Sequence, residues 1–128
     1  MANFLDLVGR IFISAVFLIS GYNKILNYSG TVDWMEGYGI PGILLAPAIV
    51  IEIILPILII LGYQVKIAAS LLACFSMATA LIFHLDLANQ MQTISLLKNF
   101  GLAGGLMFLA INGPKDWVVK KKKKYVRL

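Results

Sequence analysis

The chain alternates long apolar runs with short polar ones, and four of the runs are long enough to cross a bilayer. They lie at about residues 4–26, 42–62, 65–85 and 94–111. About 20 apolar residues at ~1.5 Å rise per residue cover a hydrocarbon core. The connection 27–41 is rich in Gly, Tyr and Trp and reads as an interfacial loop, with Trp34 and Tyr38 suited to the headgroup level. Only Gly62, Tyr63 and Gln64 separate the second run from the third, which predicts an antiparallel hairpin. Residues 86–93 are polar and read as a loop or a short surface helix. The expected fold is all-α, a four-helix transmembrane bundle over residues 1–114 followed by a basic tail, 115–128.

The second run, GILLAPAIVIEIILPILIILG, organises the others because it holds Glu52 near its middle. A carboxylate at bilayer depth costs a few kcal/mol unless it is paired, protonated or wetted. Four residues on, Pro56 removes a backbone donor and frees the carbonyl of Glu52 from its helical partner. The other helices must therefore bring a partner to Glu52, or the protein must keep it neutral.

Composition supports the membrane assignment: 60% of the 128 residues are hydrophobic and 13% are charged. One cysteine, Cys74, excludes an internal disulfide, and with a single histidine it leaves too few ligands for an ordinary zinc, haem or iron–sulfur site. The net charge of +5 comes mostly from the last fourteen residues, with Lys115, the run Lys120 to Lys124, and Arg127. Such a tail reads as a topology signal that also attracts anionic lipid, and argues against nucleic acid as a partner. Four crossings put both termini on one side, and the positive-inside rule makes that side cytoplasmic.

Small residues mark helix contacts in lipid, where burial of apolar surface drives little association. Ala69, Ala73, Ser76, Ala80 and His84 share one face of the third run. Lys98, Gly101 and Gly105 share one face of the fourth, the two glycines forming a GxxxG pair. Arg10, Ser14, Phe17, Gly21 and Lys24 form a stripe on the first. Gly21, Ala73, Ala80, Gly101 and Gly105 are thus the expected packing positions. Depths counted from the rise per residue predict two polar layers. One is a deep ion pair of Arg10 with Glu52. The other is a shallow cationic cluster of Asn23, Lys24, His84, Lys98 and Asn99 facing the non-cytoplasmic side. Each has a plainer reading: a structural clasp for the pair, snorkelling anchors for the lysines, an interfacial hydrogen bond for the histidine.

Four ordered blocks resemble the DoxX family of bacterial membrane proteins. They are GRIFISAVFLISGYNKILNYSGT, IVIEIILPILIILGY, FSMATALIFH and LLKNFGLAGGLMFLAINGP, together covering about residues 8 to 114. The resemblance implies a multi-pass inner-membrane protein. Some members of that family are subunits of a thiosulfate:quinone oxidoreductase, and others accompany membrane redox complexes. Carried over residue by residue, it marks Arg10, Gly21, Lys24, Glu52, His84, Lys98, Asn99 and Gly113, and supplies no substrate.

Three functions stand on this reading. The first is an accessory or quinone-binding subunit of a membrane redox system, in which Lys24, Glu52, His84, Lys98 and Asn99 bind ligand or handle protons. The second is a carrier or receptor for a small polar or anionic solute. The third is a purely structural subunit. No catalytic motif is complete and no cofactor motif is present in the chain, so electrons for the first would come from a partner subunit. Association with a second copy is open.

Overall fold

The computed structural model describes residues 1–83 and 88–118. Its helices are α1 (Ala2–Leu26), α2 (Tyr28–Gly37), α3 (Leu45–Leu61), α4 (Val65–Phe83) and α5 (Gln90–Asn112), and a 3-10 turn over Gly42–Leu44 leads into α3. The segments Ala2–Leu26, Gly42–Leu61, Val65–Phe83 and Gln90–Asn112 are each long and apolar enough to cross a membrane. The protein is an all-α, four-helix transmembrane bundle.

The first helix begins two residues earlier than the apolar run suggests, and the last begins four earlier. Asn89 explains the second difference: its side chain caps α5 by accepting from the Met91 and Gln92 amides. At the other hairpin, Gly62 ends α3 in the left-handed conformation (φ 82°) and its amide bonds back to Leu58 and Ile59.

α1 lies mainly on α3, α3 on α4, and α4 on α5, so the bundle is most loosely closed between α1 and α5. The core gathers Phe17, Ile59, Ala68, Ala69, Leu72, Ala73, Ala103 and Leu106. Alanines on α4 let α3 and α5 approach it, and Ser76 Oγ ties α4 to α5 by donating to the Asn99 carbonyl (3.1 Å). Gly21 serves the contact of α1 with α3: a Cβ there would stand 2.8 Å from Ile53 Cδ1 and 3.3 Å from Glu52 Cβ. Ala73 and Ala80 are buried as well.

The glycine pair on α5 behaves differently. A Cβ at Gly101 would meet nothing within 4 Å, and at Gly105 it would meet Ile13 Cδ1 at 3.1 Å. Gly101 is therefore not a packing position, and Gly105 serves a side contact with α1. Leu96, Ala103 and Leu106 are the buried residues of α5. Two residues from Ala103 is roughly 200° around the helix, which turns both glycines away from α4.

The connection expected as a loop contains α2. Its fold is set by Met35, which is buried, and by Val32, which lies against Gly42 so closely that a Cβ on the glycine would clash. Trp34 stacks on Phe83 (centroids 4.4 Å apart) and Tyr38 meets the same ring edge-on (5.1 Å). These contacts pin α2 across the end of α4. Gly39 at φ 80° and Pro41 then turn the chain into α3.

Candidate ligand site between α1 and α5

Polar side chains gather in two layers at opposite ends of the bundle. At the end that carries the N-terminus and residues 113–118, Arg10 is only 2% exposed. Its Nε donates to Asp6 Oδ2 (2.9 Å), and its Nη1 donates to the carbonyls of Ile59 (3.0 Å) and Ile60 (2.8 Å). Nη2 donates to the Trp117 carbonyl. Asp6 also accepts from the Lys115 amide, and Asn3 accepts from the Asp116 amide (both 3.1 Å). The guanidinium thus joins α1, the last turn of α3 and the irregular segment after α5. Its planar fork of donors suits four acceptors on three segments as no ammonium could.

In the second layer, Lys24 Nζ donates to Glu52 Oε1 (2.5 Å) and to Ser20 Oγ (2.8 Å). Glu52 is 3% exposed and the lysine is partly open. The expected pair of Arg10 with Glu52 is therefore replaced by Lys24 with Glu52, and Arg10 pairs with Asp6. The reason is packing register. Gly21 lets α1 settle onto α3 beside Glu52, which puts the acid a turn from Lys24. Arg10 sits instead beside Ile59 and Ile60, whose carbonyls lie in the last turn of α3, where helical donors run out and Ile59 accepts from the Gly62 amide (3.2 Å) as well as from the arginine. Between the layers, Ser14 Oγ is buried with no partner among the described residues.

Two contributors escaped the sequence reading. Asp6 precedes Arg10 by four residues and Ser20 precedes Lys24 by four, the spacing that brings side chains together on one helix face. That spacing was the available signal.

The second layer opens into a cavity of about 790 Å³. Asn23, Lys24, Glu52, Lys98 and Asn99 contribute to its wall, so four of the five candidate ligand-binding residues share one chamber. The fifth, His84, lies outside the described residues. Phe17, Ile51, Phe75 and Leu102 form apolar wall, and Trp34, Met35 and Ile40 close it from the α2 side. The chamber reaches both α1 and α5, the pair of helices that close least tightly. The Lys24–Glu52 pair is neutral as a unit. Lys98 is exposed and has no ion-pair or hydrogen-bond partner among the described residues, so among these residues it is the chamber's one uncompensated positive charge. A mostly apolar chamber with a few convergent polar groups suits a small amphipathic molecule.

The chain matches the DoxX family over residues 5–85, a stretch that contains Arg10, Gly21, Lys24 and Glu52. The chain belongs to the DoxX family. Two relatives from Escherichia coli agree with this. Inner membrane protein YqjF is 35% identical over 115 residues, which is 90% of this chain and 88% of YqjF. Inner membrane protein YphA is also 35% identical over 115 residues, covering 84% of this chain and 82% of YphA. No solved structure matches the chain. Four membrane-length helices and these inner-membrane relatives make this DoxX protein a multi-pass membrane protein of the inner-membrane type. Lys98 and Asn99 lie beyond the residues matched to the DoxX family, yet the fold carries them to the same chamber as Lys24 and Glu52.

Proposed function

We propose that this DoxX protein binds a quinone, or a small carbonyl compound of similar shape, as an accessory subunit of a membrane redox system. The observation that carries the reading is the chamber itself, which combines predominantly apolar walls, a proton-bearing Lys24–Glu52 pair and a Lys98 without a partner among the described residues, beside the loosely closed seam of α1 and α5. An apolar ring and tail would lie against Phe17, Phe75 and Leu102. Lys98 and Asn99 would donate to a carbonyl oxygen, and Glu52 would exchange a proton through Lys24. Electrons would be supplied by a partner subunit. A small anionic solute would use the same Lys98, but the extent of apolar wall favours a ligand that also dissolves in lipid.

Trp34 on the chamber wall offers a direct readout, and Trp117 at the other end of the bundle can be replaced by phenylalanine to isolate it. Titrating the purified protein in detergent with a short-chain benzoquinone should quench Trp34 emission to saturation. Lys98→Ala should weaken the apparent affinity roughly tenfold, the value of a hydrogen bond from a charged donor. Linear, unsaturable quenching that Lys98→Ala leaves unchanged would defeat the proposal. Saturable uptake of an anionic solute by proteoliposomes, with no quinone binding, would establish the carrier reading instead.

The same reading places both termini in the cytoplasm, since the start of α1 and residues 115–116 meet at one end of the bundle, with Lys115 and the run Lys120 to Lys124 toward anionic lipid. The lysine run lies outside the described residues. In a Cys74→Ser background, a cysteine at Asp33 should react with an impermeant thiol reagent in spheroplasts whose outer membrane has been removed, and one at Lys115 should not. The reverse pattern would invert the topology.

A further inference from the structure

A second recess lies between α1 and α5 at the end that carries the N-terminus and residues 113–118, with a volume of about 510 Å³. We propose that it holds one anionic phospholipid, an acyl chain lying between the helices and the headgroup at Lys115. Gly9 and Gly105 both line it, so neither helix supplies a side chain at those positions to fill the seam. Leu5, Ile13 and Phe108 make the wall apolar, and Leu5 and Phe108 are largely exposed toward the lipid. From Gly105 to Gly113 is roughly 12 Å along the helix axis, close to the depth of one leaflet's hydrocarbon. The recess therefore runs from mid-bilayer to the headgroup level.

Charge selects the headgroup. Asp6 is neutralised by Arg10 at 2.9 Å and accepts in addition from the Lys115 amide at 3.1 Å. Arg10 spends its remaining bonds on backbone carbonyls. The ammonium of Lys115 has no ion-pair partner among the described residues, and it complements a phosphodiester at the mouth. Residues 116–118 do not fill the recess. It crosses Arg10 through Trp117 and brings Val118 against Gly62, at the α3–α4 hairpin.

The full-length protein, purified in detergent and supplied with equal phosphatidylglycerol and phosphatidylcholine, can be weighed intact by native mass spectrometry. One retained phosphatidylglycerol per chain is expected. Lys115→Gln should reduce its preference over phosphatidylcholine about fivefold, the share of one lysine near a lipid surface. Gly9→Leu should abolish retention by filling the recess. Because a Cβ at Gly9 meets nothing within 4 Å, that variant should unfold at an unchanged or higher temperature. Replacing the lysines at 120–124 by glutamine should leave the retained lipid in place. Equal retention of the two lipids, retention that survives Gly9→Leu, or loss on replacing the tail lysines would each overturn the proposal. So would dimers that disappear with Gly9→Leu, since the recess would then seat a second copy.

Discussion

Arg10→Leu should destabilise the bundle by about 3–5 kcal/mol, the cost of leaving a buried ionic partner and its acceptors unmatched. The substitution removes the ion pair to Asp6 and all three hydrogen bonds to the carbonyls of Ile59, Ile60 and Trp117. Arg10→Lys should recover only part of that loss, because one ammonium cannot reach acceptors spread over α3 and the segment after α5. Asp6→Leu alone should be milder, since Arg10 keeps its three carbonyls. Thermal and denaturant unfolding in detergent measure these differences. An Arg10→Leu variant within 1 kcal/mol of the parent would show that the guanidinium does not hold the structure together.

The second large effect belongs to Lys24 and Glu52. Lys24→Met should cost about 3 kcal/mol by stranding a buried carboxylate, less whatever protonation of that carboxylate recovers. Glu52→Leu should cost a similar amount in reverse, softened because Lys24 is partly open to water. Lys24→Met combined with Glu52→Leu should cost clearly less than the sum, with a coupling of about 1–3 kcal/mol. The cycle also separates the two candidate partners of Glu52. Arg10→Leu combined with Glu52→Leu should be additive, because neither side chain touches the other. Additivity for Lys24 with coupling for Arg10 would restore the pairing expected from depth alone.

That mistaken pairing shows where a linear reading stops. Counting rise per residue places Arg10 and Glu52 within reach of each other, but it treats both helices as parallel rods measured from a common plane. The 3-10 turn over Gly42–Leu44 and the close approach at Gly21 set the true register, and neither can be seen in hydropathy. The carbonyls in the last turn of α3 also competed for the arginine, and backbone acceptors carry no residue-type signature. Gly101 illustrates a second limit. GxxxG spacing reports a bare helix face without saying what covers it, and here that face points away from α4. The α2 segment was hidden by its two glycines and aromatic content, which favour a loop until Met35 and Trp34 find their contacts on the rest of the protein. The four spans, the alanine face of α4 and the grouping of Asn23, Lys24, Lys98 and Asn99 at one end of the bundle needed less. They follow from run length and from helical periodicity, which survive any choice of register.

The bond from Arg10 to the Trp117 carbonyl links positions 107 residues apart in a chain of 128. During synthesis the first helix enters the bilayer with its arginine answered by Asp6 alone, which lies one turn away and arrives with it. The carbonyls of Ile59 and Ile60 come to it when the third helix is in place, and the last acceptor comes after the fifth. Each new partner lowers the cost of keeping a cation at that depth, so the site matures in the order in which the ribosome releases the chain. A chain stopped before residue 117 would hold every membrane crossing and still lack the final closure. Degradation of such stalled chains should accordingly be faster than that of the finished protein.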